Sequence, residues 1–315
     1  MSENQQAIDA LKQVALAGIE EQRSARRWRI FFRLASLLLF LFLIIAIIGS
    51  SAAKKGHLTT AKKYTALIDI NGIILQSADA SADNIIPALQ DAFEDKKVKG
   101  IVLRCNSPGG SPVQSSYIYD EIKRLRSIHK DKKVIAVAAD LCASGGYFIV
   151  SAADEIYANK SSLVGSIGVR MKAFGVVELM KKLGIENREL TAGKHKAILD
   201  PFSPRKPEEE AFVKQLLAQT HQHFIAAVKA GRGERLKNNP DIFSGLFWTG
   251  EGAKELGLID GFGSADYVAR EIFKAEKLVT FNPKKDFLQT LTKRIGTSIS
   301  NWISQSESTG KTVFY

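Results

Sequence analysis

An α/β fold built on a mainly parallel sheet, preceded by one N-terminal transmembrane helix, is what this sequence predicts. Three observations lead there. Leu34 to Ala53 is a run of 20 residues without a charge, dense in Leu, Ile and Phe. Beyond it, short apolar runs of strand length alternate with segments of helical periodicity, the pattern of successive strand–loop–helix units. Glycine-rich loops follow two of those apolar runs, at the strand-to-helix junctions where α/β proteins place ligand sites.

In chain order, residues 1–33 form a polar cytoplasmic segment. Residues 34–53 form the anchor, since a helix rising about 1.5 Å per residue crosses a hydrocarbon core of about 30 Å in that length. Arg23, Arg26, Arg27, Arg29 and Arg33 precede it, while Lys54 and Lys55 follow. The more basic flank stays cytoplasmic, which places the remaining chain across the membrane. The alternative is a cleaved signal peptide with Ser50 and Ala52 before the cut, although the segment ahead of the apolar run is long for one. Residues 54–63 form a short basic linker.

"YTALIDI" (64–70) reads as a strand closed by Asn71-Gly72. "DNIIPALQDAF" (83–93) reads as a helix with Ile86, Leu89 and Phe93 on one face and Pro87 early enough to be tolerated. "VKGIVLRC" (98–105) has the composition of a strand covered on both faces. A helix runs from Pro112 to about Ile128, with Ser111 as N-cap and Pro112 at its first position. "KVIAVAAD" (133–140) is a further buried strand, and "GGYFIVSAA" (145–153) a helical segment. Residues 207–232 form a long amphipathic helix opening on Pro207 and three glutamates, as the positive end of a helix dipole favours. In 284–315, Phe287, Leu291, Ile295, Ile299 and Trp302 recur at helical spacing among basic residues, giving an amphipathic tail that either docks or lies on a membrane surface.

The net charge of +11 invites a nucleic-acid reading, but residues 1–55 hold +4 of it and the remaining +7 is spread thinly. No basic run is interleaved with aromatics, so no nucleic-acid partner is expected. Cys105 and Cys142 have no C-x-x-C or metal-ligand spacing and both end apolar runs, which favours buried free thiols. No H-E-x-x-H or phosphate-loop pattern is present, so neither metal nor other cofactor is expected. The absence of an internal repeat means that any ring or paired site must come from oligomerisation.

The two glycine loops, "NSPGG" (106–110) and "CASGG" (142–146), share one design. Glycines let a backbone approach a ligand closely and free amides to point outward. A serine at a helix N-terminus, as Ser144 is expected to be, gains from the dipole and from unpaired amides that stabilise an oxyanion. Gly145 and Gly110 are the candidate donors. The same glycines would serve equally in a tight packing corner, and either loop alone leaves that choice open.

Taken together, "NSPGG", "ASGGYF", "VGSIGV" (164–169), "AGKHK" (192–196) and "WTGEGAKELGLID" (248–260) resemble the signal peptide peptidase A family of membrane-bound serine proteases. The resemblance covers roughly residues 64–265. It implies a fold similar to Clp protease and the crotonases, with the peptidase domain in 64–283. By the same resemblance Ser144 matches the nucleophile and Lys196, in G-x-x-K, the general base. The amides of Gly110 and Gly145 match the oxyanion hole, and Ser166 an accessory serine that orients the lysine. Ala197 departs from the polar residue many relatives place after the lysine. The chain holds one copy of the domain, and short members resemble rings of about eight subunits in which the lysine reaches a neighbour's serine.

Chemistry agrees with that assignment. A free serine needs a base to take its proton, and a lysine serves only when burial disfavours its charged form. Arginine stays charged and could not replace it. Of the five histidines only His195 lies near a motif; His221 and His223 read as partly solvated, and Cys142 has no base implied for it. The expectation is thus a single-pass enzyme of a bacterial inner membrane, N-terminus cytoplasmic and catalytic domain extracytoplasmic. It degrades cleaved signal peptides and other hydrophobic peptides. A crotonase-like acyl-CoA enzyme and an inactive ring-forming scaffold are the competing classes.

Overall fold

The computed structural model describes residues 26–42 and 63–283. The chain divides into two compact units, Met1–Ala61 and Lys62–Tyr315. In the first, residues 26–42 form helix α1, whose Trp28, Phe31, Phe32 and Leu37 to Phe42 side chains are at least half exposed. Among the described residues no helix is long and apolar enough to cross a membrane. Only 34–42 of the expected anchor fall within α1; residues 43–53, all of the linker except Lys63, and the tail 284–315 lie outside the described residues.

The second unit follows the expected alternation: β1 (Tyr64–Asn71), α2 (Ala82–Glu94), β2 (Val98–Ser107), α3 (Pro112–Ile128), β3 (Val134–Ala143) and α4 (Gly145–Val150). The three strands pair in parallel, Ile68 opposite Leu103 and Leu103 opposite Ala136. β4 (Glu155–Ala158) pairs with the first half of β3 and β5 (Leu163–Gly165) with its last three residues, both parallel. β6 (Phe247–Thr249) closes one edge antiparallel to β5, and β7 (Gly261–Phe262) adds to β4. β8 (Leu278–Thr280) closes the other edge parallel to β1, giving the order β6-β5-β3-β2-β1-β8.

These strands read as near-continuous apolar runs because both faces are covered. Ile68, Ile70, Leu103 and Ala136 meet Leu89 and Phe93 of α2, Ile118 and Ile122 of α3, and Ile149 of α4. Leu67, Val102, Ile135 and Val137 point the other way, beneath Val268, Phe273 and Ala275. α3 begins as its sequence dictates, with Pro112 in the first turn and the Ser111 hydroxyl accepting from the Gln114 amide. In α2 it is Ile85 rather than Ile86 that is fully buried with Leu89 and Phe93. Pro87 lies inside that helix rather than in its opening turn, so the Asp83 carbonyl four residues back loses its helical donor and the helix continues.

α5 (Val177–Leu183) and α6 (Pro207–Arg232) complete the larger helices. The second half of α6 enters the core through Phe224, Ala227 and Val228, whereas Phe212 and Leu216 of its first half are exposed. Its last residue, Arg232, is buried and donates to both carboxylate oxygens of Asp260 at 2.7 and 2.9 Å, and to the Gly257 carbonyl at 2.9 Å. Burial works against ionisation of Asp260, but the Arg232 fork outweighs it and holds the carboxyl below its ordinary range.

Cys105 and Cys142 are not the free thiols expected: they form a disulfide, with Cα atoms 5.5 Å apart. β2 and β3 are neighbours, and their register shifts between Cys105 and Ser107, so two strand ends remote in sequence lie side by side.

Candidate active site

Ser144 occupies the turn from β3 into α4, at φ 53° and ψ −123°. A non-glycine residue there costs on the order of 1–3 kcal/mol and persists only where its surroundings enforce it. They do so from both sides. The Ser144 amide donates to the Gly165 carbonyl at 2.8 Å, and its carbonyl accepts from the Phe148 amide at 2.9 Å, opening α4. The residue stays half-buried.

The other glycine loop is pressed against this turn. Gly109 has φ 96°, and a Cβ added there would meet both the Gly145 nitrogen and the Ser144 Cβ at 2.7 Å. Gly110 is fixed by a bridge to Ile74: the Ile74 amide donates to the Gly109 carbonyl at 2.9 Å, and the Ser111 amide to the Ile74 carbonyl at 2.7 Å. A Cβ on Gly145 would stand 3.2 Å from the Gly110 nitrogen and 2.5 Å from the Ser115 hydroxyl. Glycine is therefore required at these positions for close approach. Among the described residues neither the Gly110 nor the Gly145 amide has an acceptor. Gly145 opens α4, where the helix supplies none. Two uncommitted donors beside a serine hydroxyl are what a developing oxyanion needs.

Ser166 joins the same region. Ala143 pairs with Gly165, so Ser144 and Ser166 each follow by one residue a matched pair across two parallel strands. Ser166 also has a positive φ, 53°, and its amide donates to the Leu246 carbonyl at 2.7 Å.

Lys196 lies between α5 and α6. It is exposed, in a succession of turns where its amide donates to the Gly193 carbonyl at 3.1 Å. Among the described residues no hydrogen bond or ion pair joins it to Ser144 or Ser166. His195 beside it is exposed as well. Among the described residues no three His, Cys, Asp or Glu side chains form a group that could hold a metal.

Two residues beyond the sequence motifs shape the site's surroundings. Glu209 of α6 is buried, accepting from the Leu199 amide at 3.3 Å and the Lys206 ammonium at 3.2 Å. Leu199 itself has φ 56°, so Glu209 steadies the turns that carry Lys196. Burial opposes ionisation of Glu209, yet the Lys206 and Leu199 hydrogen bonds outweigh it and hold the carboxyl below its ordinary value. His221, half-buried, donates from Nε2 to the Ile167 carbonyl at 3.1 Å, next to Ser166. Glu209, Val213, Leu217 and His221 recur every four residues, and that period marks the inward stripe of α6.

A strained serine between a parallel strand and a helix, flanked by two glycine amides, places the chain in the class of Clp protease-like α/β folds, and residues 55–166 match the profile described as Clp protease. Residues 126–279 match Peptidase family S49. The chain is 31% identical over 233 residues to a "putative protease" of Synechocystis sp., covering 74% of this chain and 80% of that protein. It is 26% identical over 253 residues to a "putative signal peptide peptidase SppA" of Enterococcus faecium, covering 77% and 73%. It is also 47% identical over 201 residues to a Na(+)/H(+) antiporter NhaA of Brucella melitensis biotype 1, covering 64% of this chain but spanning only 27% of that protein. The chain belongs to peptidase family S49.

Proposed function

We propose that the protein is a membrane-anchored serine endopeptidase that degrades hydrophobic peptides, including signal peptides left behind by secretory proteins. Ser144 attacks the scissile carbonyl while its proton passes to Lys196. The amides of Gly110 and Gly145 hold the oxyanion, and Ser166 orients the lysine. The C–N bond then breaks, the proton goes to the leaving amine, and water hydrolyses the acyl-enzyme by the same route in reverse. The observation that carries this reading is the Ser144 turn itself, held at positive φ against two amides without acceptors.

Lys196 comes from a neighbouring subunit in a ring of about eight copies, a closed arrangement that removes every unpaired interface. Its exposure and its lack of any bond to its own Ser144 support this. So do the exposed apolar side chains of the same stretch between β5 and α6, where Phe174, Leu190 and Phe202 are more than half exposed. The uncharged run 34–53 supports a single crossing of a bacterial inner membrane with the N-terminus cytoplasmic. The disulfide supports an extracytoplasmic catalytic unit, since such bonds persist in oxidising compartments.

The test uses full-length protein in detergent and an apolar fluorogenic peptide. Ser144→Ala and Lys196→Ala should each lower kcat/KM by at least about a thousandfold. Co-assembling the two dead variants should restore part of the activity, because some sites then combine an intact serine with a neighbour's intact lysine. Full activity in Ser144→Ala would overturn the mechanism.

A further inference from the structure

Because β1, β2 and β3 are parallel and in register, their starting ends lie side by side, Tyr64 opposite Val98 and Ile101 opposite Val134. The turns at these ends are crowded with lysine: Lys63 before β1, Lys96, Lys97 and Lys99 around the start of β2, and Lys130, Lys132 and Lys133 before β3. The acidic residues on the same turns are Glu94, Asp95 and Asp131. Asp95 is occupied, accepting from the Tyr64 hydroxyl and the Lys97 amide. Lys132 is buried and donates to the Phe93 and Asp95 carbonyls, and Lys133 lies 3.6 Å from Glu155. Lys63, Lys96, Lys99 and Lys130 are exposed and make no ion pair among the described residues. The first three, with Lys132, outnumber the carboxylates Glu94 and Asp131 in the lining of a recess of about 550 Å³ that also includes the apolar Phe93 and Val98.

We propose that this lysine face seats the catalytic unit on anionic phospholipid headgroups of the membrane that holds its anchor. The inference rests on the reading of 34–53 as that anchor. The chain joins the face at Lys63, and only nine residues lie between Ala53 and Lys63, a length whose full extension is about 35 Å. Lysines within a Debye length of an anionic surface are drawn to it, and the recess matches a phosphate-bearing headgroup in charge and size. Ser144 follows the far end of β3, about 30 Å along the strand direction. A domain seated on its lysine face thus presents its active site away from the lipid, so substrate must leave the bilayer to be cut.

The test places the full chain in nanodiscs of phosphatidylcholine alone or of phosphatidylcholine with phosphatidylglycerol. Trace acetylation by a water-soluble reagent, read by peptide mass spectrometry, reports each lysine separately. Lys63, Lys96, Lys99 and Lys130 should label about fivefold more slowly in the phosphatidylglycerol discs, and high salt should restore their rates. Lys181, Lys182 and Lys229, exposed elsewhere in the unit, should label equally in both. Equal labelling of the four lysines in both lipids, with the chain co-eluting with the discs, overturns the lysine face and leaves the anchor standing. A chain that fails to co-elute with either disc overturns both.

Discussion

Glu209 shows how a residue remote from Ser144 fixes the turns that carry Lys196, the proposed base. Its carboxylate fixes the Leu199 amide three residues past Lys196, and Lys206 keeps it ionised. Glu209→Ala should lower kcat about tenfold with little change in KM, the loss expected when one charge-assisted hydrogen bond positions a base. Glu209→Gln, which can still accept from Leu199, should recover part of that loss. Because the folded carboxyl titrates below its ordinary value, its contribution is complete above about pH 4.3 and is lost as pH falls through the lowered value. Proteolytic nicking in 193–206, followed against pH, should therefore accelerate in acid for the wild type and be fast at every pH for the alanine variant. Identical nicking profiles would remove Glu209 from this role. The contrast with Ser144 is instructive. A serine among small residues after an apolar run is a local pattern and is legible in sequence, whereas Glu209 looks like one of three helix-opening glutamates until Leu199 is placed against it.

Elements were legible where burial on both faces or helical periodicity left a long signature. β1, β2, β3, α3 and α6 are all of this kind, and the observed α3 and α6 ends coincide with those expected. β5 to β8, each two or three residues long, carry too short a pattern to be read. The division of β3 between β4 and β5 is decided by tertiary pairing alone. The disulfide belongs to this second group, since it follows from strand adjacency and not from cysteine spacing. It lies directly under α4: a Cβ on Gly146 would stand 3.0 Å from the Cys105 sulfur. Closing a loop across a sequence separation of 37 residues contributes about 2–4 kcal/mol in the chain-entropy picture. Reduction, or the double change Cys105→Ala with Cys142→Ala, should then lower Tm by about 5–15 °C. It should also lower kcat by loosening the 142–146 turn. Alkylation under denaturing, non-reducing conditions should find no free thiol. Two alkylated cysteines, or a Tm indifferent to reductant, would show the pair to be unbonded.

At the scale of the whole molecule, the proposed nucleophile and the proposed base make no hydrogen bond to each other within one chain. Ser144 is held rigidly at the sheet, while Lys196 stands exposed among turns. In the same stretch between β5 and α6, Phe174 is 72% and Leu190 97% exposed. Apolar side chains so presented favour contact with another copy, and that contact would bring Lys196 out of water, as a lysine base requires. Phe174→Glu with Leu190→Glu should therefore dissociate the assembly, because burying two carboxylates at an interface without partners costs more than the contact contributes. Sedimentation velocity in detergent should show the loss of assembly, and peptide hydrolysis should fall at least about a hundredfold in step with it. Tm should stay within a few degrees, since both positions lie outside the core. A variant that keeps both assembly and activity would remove this surface from the interface. A wild-type chain that is monomeric and fully active would require Lys196 to swing to its own Ser144, and the shared active site would fall.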